Sequence, residues 1–278
     1  MDRFTIPFRS VEALESMTDA CLTFRDLTLG YNSHPAVHHL SGVVRRGSLT
    51  AVVGANGSGK STLMKGIAGI LRPMSGLCIA SKTQSLAYLP QQSQLDRSFP
   101  ARVIDLVGMG LWPRRGLLGR HNSRDRQTLT DALIAVGLEG FERRPLDSLS
   151  GGQLQRTLFA RVLVQNAELI LLDEPFNAVD EKTVADLIGL IKGWHHEKRT
   201  VMVVAHDLDL VRENFPEALL LARRAVAWGN ADEVLTSENL ARARHFHEAW
   251  DDAAPWCEAE HSHQPASAGV QAFNKDAA

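Results

Sequence analysis

Apolar and polar residues alternate through much of the stretch 22–31, with Leu22, Phe24, Leu27 and Leu29 on the apolar positions. That is the period of a strand with one face buried. Stretches 37–44 and 48–53 follow at short spacing, with Arg46-Gly47 as the turn between them, so the chain opens as antiparallel sheet. Residues 62–68 read as a helix, which the breaker Arg72-Pro73-Met74-Ser75-Gly76 is expected to end. Two short strands, 77–80 and 85–89, close at Pro90-Gln91-Gln92.

From about 95 to 150 the period becomes helical, as in 103–107 and 129–134, with 112–116 read as a loop. Its arginines, with Arg120, Arg124 and Arg126 beyond, read as a solvated surface, with partner docking as the alternative. Helix and strand then alternate: helices 153–165, 181–195 and 208–214, with the all-apolar strand 169–172 and the buried strand 200–204 between them. Fully apolar strands alternating with helices predict a parallel sheet covered on both faces. Stretches 218–222 and 225–228 read as two edge strands, and 232–235 and 237–250 as helices, the second with Ser237 as N-cap. The fold class is therefore α/β, mostly parallel sheet with helices on both faces, plus an antiparallel β subdomain and an inserted helical subdomain at about 95–150. Residues 1–20 read as an extension, 21–250 as the folded domain, and 251–278 as a disordered tail containing histidines. Met17 competes with Met1 as the start.

Composition narrows the classes further. The chain has 278 residues, 44% apolar and 22% charged, the balance of a soluble globular protein. A formal net charge of -2 gives no electrostatic case for nucleic acid or an anionic membrane as main partner. Cys21, Cys78 and Cys257 are widely spaced with no CxxC, which points to a reducing compartment. No run is long enough to span a bilayer, and the N-terminus lacks the apolar core of a secretory signal. His245, His247, Cys257, His261 and His263 carry zinc-binding chemistry, but residues two apart on a helix do not share a face, so the tail histidines read as incidental.

The chemistry starts at Gly54-Ala55-Asn56-Gly57-Ser58-Gly59-Lys60-Ser61-Thr62, which matches G-x-x-x-x-G-K-[ST] between a strand and a helix. Glycines let successive N–H groups point at phosphate oxygens at the positive end of a helix dipole. Lys60 would reach the β- and γ-phosphates of a nucleoside triphosphate, and the Ser61 hydroxyl would ligate Mg²⁺. The strand 169–172 ends in Asp173 and Glu174, placing one carboxylate beside Mg²⁺ and the next where it can polarise an attacking water. A second such strand runs into His206, within reach of the γ-phosphate and that water. Leu149-Ser150-Gly151-Gly152-Gln153 has capping-box spacing and two glycines, a second helix start suited to an anion. One chain needs only one such loop for its own phosphates, so the second suggests a nucleotide held by another subunit.

These motifs, in this order, resemble those of the ATP-binding-cassette (ABC) ATPases over about residues 22–228. The resemblance implies that Tyr31 stacks on adenine, that Gln91 is the Q-loop residue linking Mg²⁺ and water to the partner subunit, and that Asp180 lies in the D-loop. The D-loop here reads Ala178-Val179-Asp180, where the family more often has Leu than Val. It also implies that Leu149-Ser150-Gly151-Gly152-Gln153 is the family's signature, and a head-to-tail dimer with each ATP between one copy's phosphate loop and the other's signature. Three classes compete: a transporter motor, a soluble ABC protein acting on DNA or ribosomes, and a regulatory module without turnover. The absence of a coiled-coil insertion or second cassette argues against the second, and the presence of Glu174 and His206 against the third. A cassette with no membrane helices of its own fits an importer with separate permease subunits and a solute-binding protein, at the cytoplasmic face of the inner membrane. Phe176 after Asp173-Glu174-Pro175, and Ser98-Phe99-Pro100 before 103–107, resemble the zinc and manganese importer ATPases, zinc first, with iron–chelate importers as the alternative.

Overall fold

The computed structural model describes residues 19–32, 34–80, 85–91, 100–116, 122–177 and 179–248. The extension before residue 19, the segment 92–99 and the tail 251–278 lie outside the described residues, and with them Cys257, His261 and His263.

Strands β1 (Ala20–Tyr31), β2 (His34–Arg45) and β4 (Ser75–Ala80) form an antiparallel sheet in the order β2-β1-β4. Six strands form the second sheet: β3 (Leu49–Val53), β5 (Leu86–Leu89), β6 (Leu169–Asp173), β7 (Thr200–Val204), β8 (Glu217–Ala222) and β9 (Arg224–Asn230). Their order is β5-β6-β7-β3-β8-β9, parallel throughout except that β9 runs antiparallel to β8. Every residue of β3, β6 and β7 is buried, and successive side chains enter different cores. Leu169 and Leu171 join Phe24, Leu29, Leu63 and Met64 under the antiparallel sheet, whereas Ile170 and Leu172 join Phe159, Leu187 and Trp194 on the other face. Phe159 and Trp194 stack there with ring centroids 5.7 Å apart. Full burial of such an apolar side chain stabilises by about 1.5–3 kcal/mol, which explains why these strands are mostly apolar, with Thr50, Asp173 and Thr200 as their buried polar positions.

The helices are α1 (Lys60–Ile67), α2 (Val103–Gly108), α3 (Trp112–Arg115), α4 (Ser123–Ala135), α5 (Gly151–Gln165), α6 (Glu181–His196), α7 (Leu208–Asn214), α8 (Ala231–Val234) and α9 (Ser237–Glu248). The side chains of α2, α4 and α5 bury Val103, Leu106, Leu129, Leu133, Leu154 and Leu158 together. Among the described residues no helix is long and apolar enough to cross a membrane.

Four local readings of the sequence need correction. Helix α1 stops at Ile67, well before Pro73: Gly69 turns left-handed (φ 72°), and the N–H groups of Gly69 and Ile70 donate to Gly66 and Lys65 carbonyls. That paired closure is a Schellman stop, and it satisfies carbonyls that the helix end would otherwise leave bare. Residues 112–115 are not a loop but one helical turn, with Pro113 in the first turn where its missing N–H costs nothing. Strand β8 is internal, between β3 and β9, so β9 alone of that pair lies at an edge. The cap of α9 is Thr236, whose Oγ1 accepts from Asn239 N at 3.3 Å, while Ser237 is the first helical residue.

Candidate functional site

Strand β3 delivers the chain into the loop 54–59, and α1 leads away from it. Two glycines there are demanded by close approach. A Cβ on Gly54 would sit 2.1 Å from the Leu221 carbonyl oxygen, and one on Gly59 (φ 96°) 2.5 Å from that of Ala36. Gly57, also left-handed (φ 78°), and Asn56 form the bend between them, and Ser58 N closes it onto the Ala55 carbonyl at 3.2 Å. Lys60 Nζ donates to the Gly54 and Ala55 carbonyls, both at 2.8 Å, so the ammonium is folded back over the loop. Burial lowers the Lys60 pKa, opposed by the negative charges of Glu174 and then Asp173. Helix α1 opens without any side-chain cap, and the buried Ser58 Oγ finds no hydrogen-bond partner among the described residues. Thr62, buried behind Ser61, completes the first turn.

Asp173 ends β6 with no exposed surface. Its carboxylate accepts from Ser61 Oγ at 3.0 Å and from the Tyr88 hydroxyl at 3.4 Å. Burial pushes its pKa up, the Ser61 bond opposes this, and neighbouring Glu174 adds to the rise. Glu174 adopts a left-handed backbone (φ 53°), a costly conformation for a residue with a Cβ and one that occurs at functional sites. Its side chain is 11% exposed and meets three others. His206 Nε2, from the loop after β7, lies 2.7 Å from Oε1. Gln91 Nε2, beyond β5, donates to Oε2 at 2.5 Å, and Asn177 Nδ2 donates to the same oxygen at 2.6 Å.

Glu174 therefore brings together the ends of three parallel strands, at the edge of the sheet where α/β folds place ligands. Lys60, Ser61, Asp173, Glu174, Gln91 and His206 form one connected cluster. The residue types and environment suit Mg²⁺ with ATP. A buried carboxylate beside a hydroxyl would hold the cation, and an uncapped helix start with a buried lysine would hold phosphates.

Ser150 to Gln153 form a separate cluster. Ser150 Oγ accepts from Gln153 N at 3.2 Å, and Gln153 Oε1 accepts from Ser150 N at 3.1 Å, a complete capping box at the start of α5. Gly151 and Gly152 open that helix, and a Cβ on Gly152 would sit 3.4 Å from Asp180 Oδ2. Asp180 in turn caps α6, accepting from the Thr183 amide and hydroxyl, both at 2.9 Å. The backbone bond from Thr183, then its hydroxyl, lowers the Asp180 pKa. Arg156 on α5 ties the two helix starts together, donating to Asp186 at 2.6 Å and to Thr183 Oγ1 at 3.3 Å. Tyr31, half exposed, lines a cleft of about 500 Å³ with Lys65, Leu71 and the same Tyr88 whose hydroxyl donates to Asp173.

Two polar partners of the carboxylates escaped the sequence reading. Asn177 sits three residues after Glu174, but nothing in a run Glu-Pro-Phe-Asn says that the chain turns back on itself. Tyr88 lies inside a strand whose alternation hides its hydroxyl.

The ABC transporter family matches residues 37–177, which span the phosphate loop, Gln91, the 149–153 motif and the two carboxylates. The manganese transport system ATP-binding protein MntB of Listeria monocytogenes is 37% identical over 225 residues, covering 79% of this chain and 94% of the relative. The zinc transport system ATP-binding protein TroB of Treponema pallidum is 37% identical over 234 residues, covering 82% and 88%. Among solved structures, a metal-chelate type ABC transporter in an inward-facing conformation superposes with a TM-score of 0.73 at 31% identity, covering 82% of this chain and 90% of the other. With its phosphate loop, buried carboxylate and signature helix in the family's order, this chain belongs to the ABC transporter family and is an ATP-binding ATPase.

Proposed function

We propose that the chain is the ATP-hydrolysing motor subunit of a divalent-metal importer, working as a head-to-tail pair beneath separate permease subunits. The observation that carries the hydrolytic part is the convergence of Gln91, Glu174 and His206 beside the Ser61–Asp173 pair. Lys60 and the N–H groups of loop 54–59 would hold the β- and γ-phosphates, and Tyr31 the adenine. Ser61, Asp173 and Gln91 would hold Mg²⁺, which supplies charge neutralisation on the phosphates. Glu174 accepts the proton of the attacking water, and His206 steadies that water and the γ-phosphate. Ser150, Gly151, Gly152 and Gln153 would face the partner copy's nucleotide, with Asp180 in the segment beside them. In this reading the helices within about 95–150 are a subdomain that faces the permease, and the assembly sits at the cytoplasmic face of the membrane. A metal-binding solute-binding protein on the far side would deliver the cargo.

Relatives named for manganese and for zinc match at the same 37% identity, and manganese recurs among other relatives. These names move the reading from zinc first to manganese first, with zinc second. The likeness to a metal-chelate type transporter at 31% identity keeps an iron–chelate importer as the second reading. Uptake by cells lacking this chain separates them. Manganese or zinc accumulation should fall, return with the wild-type chain and stay low with Lys60→Ala. Loss of iron–chelate uptake with unchanged manganese and zinc would overturn the first reading.

A further inference from the structure

We infer that Asn177 is a positioning residue for hydrolysis, holding one oxygen of the Glu174 carboxylate so that the other faces the attacking water. The inference rests on the reading of Glu174 as the base.

The local chain geometry puts Asn177 there. Glu174 turns left-handed at φ 53°, the buried Pro175 follows with its fixed φ, and the turn closes with Asn177 N donating to the Glu174 carbonyl at 3.3 Å. Residues one and four of a turn lie side by side, so the short Asn177 side chain meets the Glu174 side chain without crossing any other element. Its Nδ2 donates to Oε2 at 2.6 Å, and Gln91 Nε2 donates to the same atom at 2.5 Å from beyond the end of the neighbouring parallel strand β5.

An ionised carboxylate offers about four acceptor sites, two on each oxygen. Both sites of Oε2 are occupied by the two amides. Oε1 faces His206 Nε2 at 2.7 Å, so Oε1 is the oxygen that works with the imidazole. Two donors on one oxygen fix the carboxylate against rotation about its last bond, which a single donor does not do. Misplacing a base by an ångström has a large cost in rate, and the pair of amides removes that freedom before substrate arrives. Asn177 is tied to Glu174 by a turn of four residues that its own N–H closes, whereas Gln91 reaches the carboxylate from another strand. The Asn177 bond is therefore the one that travels with the carboxylate.

The donor role is separable from a spacing role by chemistry. Asn177→Asp keeps the size of the side chain and its capacity to sit in a turn, but it replaces an N–H donor by a carboxylate facing a carboxylate. Asn177→Ala removes the donor alone. In Mg-ATP turnover by the purified full chain with its permease, Asn177→Ala should lower kcat by about tenfold with KM for ATP within about twofold, and Asn177→Asp should lower kcat at least as far. In a Glu174→Gln background, Asn177→Ala should produce no further loss of the residual turnover, because its effect passes through the Glu174 carboxylate. Wild-type kcat in Asn177→Asp, or an equal fractional loss in both backgrounds, would overturn the inference. Wild-type turnover by Glu174→Gln would instead remove the reading of Glu174 as base, and this inference with it.

Discussion

Lys60 and Asp173 are strained electrostatically in opposite senses. Burial disfavours the ammonium of one and the carboxylate of the other, and each is steadied by local polar partners and by opposite charge nearby. Such groups are arranged to receive a charged ligand, since a nucleotide with its cation satisfies both at once. His38 shows the same physics away from the site. It is 4% exposed on β2, its backbone N–H donates to the Arg223 carbonyl at 2.7 Å, and Arg223 N donates to the Ser58 carbonyl in the phosphate loop. Burial first, then Arg224, His39 and Arg223, pushes its pKa from 6.5 down to about 4. The unfolded chain therefore takes up a proton at His38 more readily than the folded one. Stability is complete above pH 6.5 and is lost as pH falls from there toward about 4. One such group changes stability by at most about 1.4 kcal/mol per pH unit in that window. Urea unfolding of His38→Asn from pH 7.5 to 4.5 should show a shallower acid loss than wild type, and parallel curves would remove His38 as the cause.

At the scale of elements, the stops and caps decide what the sequence pattern leaves open. Thr236 caps α9 through Asn239, and α9 lays Leu240 and Ala243 against the large core. Thr236→Ala should cost about 1 kcal/mol in chemical denaturation, whereas Ser237→Ala should fall within about 0.5 kcal/mol of wild type. The reverse ranking would restore Ser237 as the cap. The strands β6 and β7 were legible because four consecutive apolar residues bounded by helices have only a doubly covered sheet to enter. The place of β8 was not legible, since an apolar run records burial but not which neighbour provides it, and the pairing with β3 crosses most of the chain. In the same way Glu174 and His206 announce themselves as side chains at strand ends and Lys60 by its place in the phosphate loop, whereas Gln91 is named only through the family resemblance. Asn177 does not announce itself, because its role depends on the left-handed turn at Glu174, which residue type alone does not prescribe.

For the whole molecule, the two polar clusters have different connections. The hydrogen bonds of Glu174 bind together the ends of β5, β6 and β7, while the capping box at Ser150 sits against Asp180 and Thr183 at the start of α6. A chain that carries one half of each of two sites completes both by pairing with a copy turned about a two-fold axis, and that symmetry closes at two. Nucleotide then drives assembly only as far as the pair binds it better than the single chain does. If each of two sites gains tenfold in affinity on pairing, the dimerisation constant rises about a hundredfold, or about 2.7 kcal/mol. Hydrolysis limits how long that gain persists, so a variant that binds but does not cleave shows it best. Glu174→Gln keeps the side chain's size and loses its capacity to accept a proton. In light scattering after size exclusion, it should run as one chain without nucleotide and as two with Mg-ATP, returning to one on removal of Mg²⁺. Adding Ser150→Arg, a bulky cation at the start of α5, should abolish the Mg-ATP dimer while leaving the single chain folded. A Glu174→Gln protein that stays single at high concentration with Mg-ATP, or that grows beyond two, would exclude the closed head-to-tail pair.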